Sequence, residues 1–315
     1  MKVLIVGAAG NLGSFLTKHL LLGAHQLSLL VHRKALSLDL EKNSRVCVIR
    51  GDLDVPASLR EATRNIDCIV YVAGVLFQPR PERFLRRTNT VYVQNIVDAA
   101  LVNGVQKFIL VSFPHVEGET TPDSPATGTL DGHPNAIHSQ TRLAAERYLF
   151  SACEGRAMLP LVLRAGIIYG RGVKLTEGAR KLMRFGLLAV WNKPTWVHLL
   201  SLPDFLRIVE IAIDRKDLSG IYNLADDKPL ALQEFLDGLA AHWGYKKPWR
   251  LPSFCFYLAA ALCETFATIL RTPTPLTRDI VKMAITSVVA NTTRAKKEIT
   301  PKLLYPSFKE GVVII

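Results

Sequence analysis

The N-terminal stretch Lys2-Val-Leu-Ile-Val-Gly-Ala-Ala-Gly-Asn-Leu-Gly13 decides the fold, because an apolar run leads directly into three regularly spaced glycines. The run predicts a buried β-strand, and the residues after it predict a helix. Gly7 allows a sharp turn, Gly10 allows the backbone to approach a diphosphate, and Gly13 allows the helix to pack closely on the strand. The first helix would then point its free N–H groups and its positive dipole end at the diphosphate.

This glycine turn predicts a dinucleotide site, and the alternative is a glycine-rich turn that binds nothing. The residues predicted to border the dinucleotide here are Gly7, Gly10, Asn11, Leu12 and Gly13.

The end of the second predicted strand bears on the choice of dinucleotide. NAD-preferring sites usually place an acid about 20 residues after the glycines, where it bonds the ribose 2′-hydroxyl. Here the sequence is Val31-His-Arg-Lys34, without a carboxylate. Arg33 and Lys34 could meet a 2′-phosphate, so we expect NADP rather than NAD. The alternative is that both cations are simply solvated.

The first half of the chain repeats a short run rich in Val and Ile, a turn, and an amphipathic stretch. The predicted strands are Lys2–Val6, Gln26–Val31, Val46–Ile49, Cys68–Val72, Phe108–Ser112 and Leu161–Leu163. The predicted helices are Asn11–Leu22, Ala57–Thr63, Thr90–Asn103 and Ser139–Glu154. Such alternation predicts an α/β fold, a Rossmann doubly wound parallel sheet.

After Gly172 the helical stretches become longer, which predicts a smaller, mostly helical C-terminal substrate lobe. We place a dinucleotide-binding domain at residues 1–172 and a substrate or partner lobe at 173–315, with segments around 196–224 returning to the first domain. Residues 251–270 are largely apolar, with Glu264 as the only charged residue. Placing that carboxylate in hydrocarbon would cost about 2.5–3.5 kcal/mol, so we expect a helix packed within the lobe rather than a membrane-surface contact or a span.

Composition excludes several classes of protein. The 315 residues are 49% hydrophobic, which supports a sizeable core and excludes a disordered or fibrous chain. The formal net charge of +12 suits anionic partners such as phosphorylated cofactors. Five scattered cysteines without a C-x-x-C pair fit free thiols in a reducing compartment, and we expect a cytoplasmic protein without a bound metal.

Further motifs follow the glycine turn at the spacing of a known superfamily. They are Gly51-Asp-Leu53, Val72-Ala-Gly74, Leu163-Arg-Ala-Gly-Ile-Ile-Tyr-Gly170 and Gly220-Ile-Tyr-Asn-Leu224. Together with the glycines, this set resembles the extended short-chain dehydrogenase/reductase superfamily, in its NAD(P)-dependent epimerase/dehydratase branch. The resemblance covers nearly the whole chain.

The resemblance implies further cofactor contacts. Asp52 would bond the adenine, and Leu53 would pack on it. Ala73 and Gly74 would line the adenosine ribose and the diphosphate. The backbone of Ala165, Gly166 and Ile167 would border the nicotinamide. The competing interpretation of Asp52 is a turn residue that follows a strand.

The catalytic positions depart from the family pattern. Family enzymes use Tyr-x-x-x-Lys on one face of a helix, whereas this sequence has His138-Ser-Gln-Thr-Arg142. Phe113 stands where the catalytic Ser or Thr belongs, and Ser112 comes one residue earlier. Adjacent residues at a strand end point in opposite directions, so the usual proton relay is predicted to be absent.

Two interpretations of these catalytic candidates, His138, Arg142 and Ser112, stay open. In one, Arg142 bonds the nicotinamide ribose, and His138 replaces the tyrosine as an acid/base working near neutrality, in an oxidoreductase or epimerase/dehydratase of a small carbonyl or hydroxyl substrate. In the other, the site binds NADP without turning it over, as a redox sensor or an assembly or regulatory protein.

Partners are predicted only in outline. We expect a small-molecule substrate, and the basic cluster Arg80–Arg87 would suit an anionic one. We expect no nucleic acid, because no nucleic-acid-binding motif accompanies the basic residues. The resemblance also implies a homodimer formed through the helices at 90–103 and 139–154.

Overall fold

The structure is a computed structural model that describes residues 1–33, 36, 38–75, 78–274 and 276–315. At its centre lies a seven-stranded sheet in which every neighbouring pair is parallel. Across the sheet the strands are β11 (Gly220–Leu224), β6 (Leu159–Ala165), β5 (Lys107–Ser112), β4 (Cys68–Tyr71), β1 (Lys2–Val6), β2 (Gln26–Val31) and β3 (Val46–Arg50). This order, with β1 in the interior and the chain running outward both ways, confirms the predicted doubly wound sheet.

Helices cover both faces of the sheet. One buried cluster joins it to the first and seventh helices through Leu16, Leu20, Phe205 and Val209. A second cluster on the opposite face includes Leu59, Val93, Ile96 and Leu149. The helices are α1 (Asn11–Leu20), α2 (Leu38–Glu41), α3 (Pro56–Ala62), α4 (Tyr92–Val102), α5 (Ile137–Cys153), α6 (Lys174–Arg184), α7 (Leu202–Asp214), α8 (Leu232–Trp243), α9 (Ser253–Leu270), α10 (Arg278–Ala284), α11 (Thr293–Glu298) and α12 (Phe308–Gly311). A π-helical turn, Arg86–Val91, leads into α4, and 3₁₀ turns lie at Pro81–Arg83, Pro114–Glu117 and Val312–Ile314.

The C-terminal region adds short strand pairs that the sequence did not predict. They are β7 (Ile167–Tyr169) with β10 (Leu199–Ser201), β9 (Trp196–Val197) with β12 (Leu230–Ala231), and β8 (Ala189–Trp191) with β13 (Trp249–Leu251). Strands of two or three residues are too short to show an alternating pattern. The strand at 220–224 pairs with β6 in the main sheet, and the domain boundary at residue 172 stays a prediction.

The expectation that residues 251–270 form a helix packed within the lobe is corrected. Helix α9 covers this segment, but only 17% of its residues are buried. The inward face consists of the small residues Ala260 and Ala267 together with Glu264. Glu264 faces inward because its carboxylate accepts from the Arg278 guanidinium at 2.7 Å and from the Arg278 backbone N–H at 3.0 Å. The charge is therefore satisfied by the protein, and the apolar side chains are left outside.

A buried ionic network joins the sheet to the helix that carries the candidate catalytic residues. Arg164 on β6 is completely buried and donates to Glu146 of α5 and to Glu117, each at 2.5 Å. It also donates to the backbone oxygen of Thr129 at 2.8 Å. Ser112 at the end of β5 donates its hydroxyl proton to the same Glu146 carboxylate. One buried network thus joins two strands, one helix and the long loop after β5, with β5 attached through the Glu146 carboxylate.

Removing one partner of this network should be costly, since it leaves a buried charge without compensation. We expect Glu146→Ala to lower the free energy of unfolding by about 3–5 kcal/mol in urea titrations. Glu61→Ala is the matched control, because the Glu61–Arg64 pair at 3.2 Å is exposed, and we expect a loss under about 1 kcal/mol. Equal losses in the two variants would contradict the assigned role of the network.

Candidate functional site

The predicted cofactor residues gather at one edge of the sheet. Gly7 follows β1, Arg33 follows β2, Asp52 follows β3, Ala73 follows β4 and Ala165 ends β6. All of these positions are carboxyl ends of parallel strands, where doubly wound sheets bind their ligands. Lys34, predicted beside Arg33, lies outside the described residues.

The glycine turn is built from backbone alone. Gly7 has a φ of +100°, and a Cβ on it would stand 2.7 Å from the Ala73 nitrogen. A Cβ on Gly13 would stand 2.1 Å from the Gly7 carbonyl oxygen. Gly10 donates its N–H to that same oxygen at 2.8 Å and caps α1 without a side chain. The start of α1 therefore has no side-chain cap, and its positive dipole end suits an anionic group.

The side chains of Asn11 and Leu12 serve the fold. The Asn11 amide donates to the Gly172 carbonyl at 3.0 Å, and its oxygen accepts from the Lys174 N–H at 2.9 Å. Leu12 packs against the core cluster shared with α7. What these two positions can offer a ligand is the backbone at the first turn of α1.

On the predicted adenine side, Asp52 lies beside His32. The His32 Nε2 is 3.3 Å from one carboxylate oxygen, and the other oxygen accepts the Asp54 N–H at 3.0 Å. Asp52 therefore acts as a turn residue, and its carboxylate also lies beside His32, which follows β2. Leu53 packs on the opposite core cluster, and Arg33 is exposed without a salt bridge to any described residue.

Arg142 on α5 is the most informative side chain of the site. Its relative solvent exposure is only 4%, and its Nη2 donates to the Ala73 carbonyl at 3.3 Å. Its Nε and Nη1 are buried without a partner among the described residues. The guanidinium lies 5.9 Å from the centroid of the Tyr71 ring, and a Cβ on Gly74 would be 3.8 Å from Nη2.

The unpartnered N–H groups of Arg142 fit a dinucleotide. Buried donors are nearly always hydrogen-bonded, and sugar hydroxyls or phosphate oxygens would satisfy the donors on Nε and Nη1. Burial lowers the pKa of Arg142, but arginine starts from an ordinary value above about 12, so the group stays charged. Together with the glycine turn, the buried cation gives this edge two features suited to an anionic ligand.

His138 differs from the expectation of an acid/base working near neutrality. Its ring stacks on Phe113 with 5.3 Å between centroids and 29° between planes. Burial, with the nearby charge of Arg142 and the proximity of His115, lowers the pKa of His138 to about 3. Burial also lowers the pKa of His115 to about 4. Both imidazoles are therefore neutral near pH 7, and neither is present as an imidazolium that could act as a general acid.

The start of α5 is fixed from a distant part of the chain. Asp279 on α10 accepts from the backbone N–H groups of Ile137 at 2.7 Å and His138 at 3.1 Å. A carboxylate here caps the helix and complements its dipole. Sequence reasoning missed Asp279, because no local pattern connects it with a helix that begins more than one hundred residues earlier.

Ser112 is held in the buried ionic network. Its hydroxyl donates to Glu146, and its assignment as a catalytic residue stays a prediction. The hydroxyl of Tyr148 donates to Asp98 at 2.5 Å, and Tyr169 packs against Phe235 and Phe308. The Tyr148 phenol is thus hydrogen-bonded elsewhere, whereas the buried Tyr169 hydroxyl has no hydrogen-bond partner among the described residues.

The predicted nicotinamide border is a close approach of two backbones. A Cβ on Gly166 would stand 2.3 Å from the His198 carbonyl oxygen, and Ile167 donates its N–H to that oxygen at 2.8 Å. Gly166 itself donates to the Leu224 carbonyl at 2.8 Å. Glycine is therefore needed here for packing between β7 and β10, whatever the backbone later binds.

Comparison with known proteins identifies this arrangement. Residues 3–197 match the profile of the NAD dependent epimerase/dehydratase family. The chain belongs to this family. The superfamily resemblance drawn from the motifs is thereby confirmed. Among the described residues, no three His, Cys, Asp or Glu side chains are grouped so that they could hold a metal ion.

Curated relatives of this family member are enzymes. A UDP-glucose 4-epimerase from Vibrio cholerae is 25% identical over 273 residues, covering 83% of this chain and 82% of the relative. A 2-alkyl-3-oxoalkanoate reductase from Stenotrophomonas maltophilia is 25% identical over 301 residues, covering 91% and 90%. Among solved structures, the UDP-glucuronic acid 4-epimerase from Bacillus cereus in complex with NAD has a TM-score of 0.77 at 17% identity, covering 100% of this chain and 97% of that one. The structural likeness establishes the shared fold.

The neutral state of His138 predicts a specific dependence of stability on pH. The unfolded imidazole takes up a proton below about pH 6.5, whereas the folded one does so only near pH 3, so stability falls as the pH drops through this window. Between pH 7 and pH 5 this group alone should cost about 2 kcal/mol.

The variant His138→Phe keeps the ring stacking and removes the titration. We therefore expect its loss of unfolding free energy between pH 7 and pH 5 to be smaller than the wild-type loss by about 2 kcal/mol. Chemical denaturation at both pH values measures this, and His242→Phe, at an exposed position, is the control. Parallel pH profiles for wild type and His138→Phe would contradict the burial argument.

Proposed function

We propose that this protein binds NADP(H) at the carboxyl edge of its sheet and holds it without tyrosine-dependent proton transfer, as a redox-responsive binding protein. Family membership supports nicotinamide dinucleotide binding. The choice of NADP and the absence of turnover are our own inferences from the residues at this edge.

The observation that carries the proposal is the buried Arg142 guanidinium, with two unpartnered nitrogens, Nε and Nη1, beside a neutral imidazole. The cation suits the retention of an anionic nucleotide. A family enzyme also needs a group that exchanges a proton with substrate near neutrality. At this edge Phe113 replaces the hydroxyl residue, and His138 has a pKa of about 3. The site therefore supports nucleotide binding through Arg142, whereas Phe113 and His138 do not supply the proton transfer that catalysis needs.

The alternative is an oxidoreductase or epimerase/dehydratase acting on a small carbonyl or hydroxyl substrate. It is favoured by the relatives, a UDP-glucose 4-epimerase and a 2-alkyl-3-oxoalkanoate reductase. A neutral imidazole with a lowered pKa can still polarise a carbonyl by donating its N–H. His138 would then act as a hydrogen-bond donor rather than as a proton source.

Calorimetric titration with NADPH tests the binding step. We expect saturable heat for the wild type and at least about tenfold weaker binding for Arg142→Met, since a charge-assisted hydrogen bond is worth roughly 1.5–3 kcal/mol. Arg147→Met is the matched control on the same helix, because Arg147 is exposed and donates to the Leu130 carbonyl. No heat with reduced or oxidised dinucleotides would overturn the proposal and the alternative together.

Transfer of deuteride from C4-labelled NADPH to a panel of carbonyl compounds separates the two functions. We expect NADPH to bind without measurable exchange. Exchange that disappears in His138→Ala, while NADPH affinity is retained, would establish the enzyme and reject the silent site.

The preference for NADP is tested at Arg33. We expect Arg33→Ala to weaken NADPH binding about tenfold to one-hundredfold and to leave NADH binding unchanged, because only NADPH carries a 2′-phosphate. Arg60→Ala, on the exposed face of α3, removes the same charge elsewhere. A preference for NADH in the wild type, or equal effects of the two variants, would show that Arg33 does not select the cofactor.

Other expectations remain predictions. They include a homodimer through the helices at 90–103 and 139–154, a cytoplasmic location, and a small, anionic substrate near Arg80–Arg87. Sedimentation velocity at micromolar concentration would test the first of them.

A further inference from the structure

Helix α9 presents an apolar stripe to solvent along its whole length. The stripe consists of Phe254, Leu258, Leu262, Phe266 and Ile269, which recur at the spacing of one helical face. Phe254, Phe266 and Ile269 are 66%, 62% and 70% exposed. A continuous apolar face of this size on a monomer marks an interaction surface.

The stripe is free of charge because the helix turns its charged residue inward. Within residues 253–270, all of them described, Glu264 is the only charged side chain, and Arg278 binds its carboxylate. The exposed Thr265 satisfies its hydroxyl on the Ala261 carbonyl at 2.8 Å. The outer face of α9 therefore offers almost nothing to water.

Exposed apolar residues continue beyond the helix. The Trp249 indole donates to the Gly186 carbonyl at 3.0 Å, which places the exposed Phe185 and Leu187 beside it. Strand β13, which contains Trp249, runs directly into α9 and pairs with β8. The docking face is defined as the α9 stripe together with Phe185, Leu187 and Trp249. It combines aliphatic residues with aromatic rings of the kind that favour a membrane–water boundary.

The segments that form this face are strongly basic. Residues 178–193 and 244–271 together contain eight Lys or Arg residues, namely Arg180, Lys181, Arg184, Lys193, Lys246, Lys247, Arg250 and Arg271, and one acid, Glu264. Asp237 partly offsets two of these cations, lying 2.7 Å from Arg250 and 3.7 Å from Lys247. The remaining charge complements an anionic surface rather than a second copy of the same basic face.

We propose that the docking face seats the protein on an anionic lipid bilayer, with α9 lying in the plane of the membrane interface. An amphipathic helix with an apolar face and neighbouring cations binds such interfaces. The 18 residues of α9 would make a helix about 27 Å long, close to the length needed for a span. However, its inner face is occupied by α10 and by the contact of Phe256 with Trp191, at 5.6 Å between ring centroids. A span would break these contacts and expose Glu264 to hydrocarbon.

Vesicle flotation of the full chain tests the proposal. We expect the protein to float with vesicles of phosphatidylcholine containing roughly 30% phosphatidylglycerol, and at least tenfold less with phosphatidylcholine alone or in high salt. The triple variant Leu258→Gln, Leu262→Gln, Phe266→Gln should lose at least tenfold in partitioning. The matched control is Leu22→Gln with Val102→Gln, two exposed apolar residues on other elements. All five positions are exposed, and circular dichroism with thermal unfolding checks that both variants fold.

Trp249 gives an independent signal. Its emission should shift to the blue when anionic vesicles are added, and the vesicle-dependent shift should be lost in Trp249→Phe.

Other occupants of the face give different results. Equal flotation of the triple variant and its control, or no flotation of the wild type, overturns the proposal. Resistance to alkaline carbonate extraction would indicate a span. If the wild type forms a dimer and does not bind vesicles, and the triple variant is monomeric, the proposal is overturned and the face is assigned to a second copy of the chain.

Discussion

The position of the candidate site depends on one buried cation, Arg164. It lies on β6 and binds carboxylates from α5 and from the beginning of the long loop, so these elements share a single fixed point. The low dielectric of the interior makes each broken bond expensive, which favours one arrangement of α5 against the sheet. Because Arg142 and His138 lie on that helix, their placement at the strand ends follows from a contact that does not touch the ligand site.

Much of the fold follows from the sequence, because its signals are local. The apolar run before Gly7 and the spacing of the three glycines predict strand, turn and helix, and the structure places them within one or two residues. Repeated runs rich in Val and Ile predict the remaining buried strands in the same way. The short strand pairs of the C-terminal region have no such signal, since each depends on a partner far along the chain.

In the candidate site, too, local features could be predicted from the sequence, and contacts between distant residues could not. The replacements at positions 138 and 142 are visible in the sequence, but the pKa of His138 depends on burial and on ring contacts that only the folded chain supplies. The commitment of Ser112 to Glu146 and the capping of α5 by Asp279 are likewise long-range contacts. The α9 segment was misjudged because hydrophobicity alone cannot distinguish an apolar face that meets the protein from one that meets solvent.

The charge state of the site has a consequence for how it would respond to the cell. A guanidinium such as that of Arg142 is not deprotonated in proteins, and the pKa values of His115 and His138 are about 4 and about 3. The charges of Arg142, His115 and His138 therefore stay constant around neutral pH. Under the proposed function, binding would then depend on the concentration and oxidation state of the nucleotide, and mild acidification would not change the charge of these three side chains.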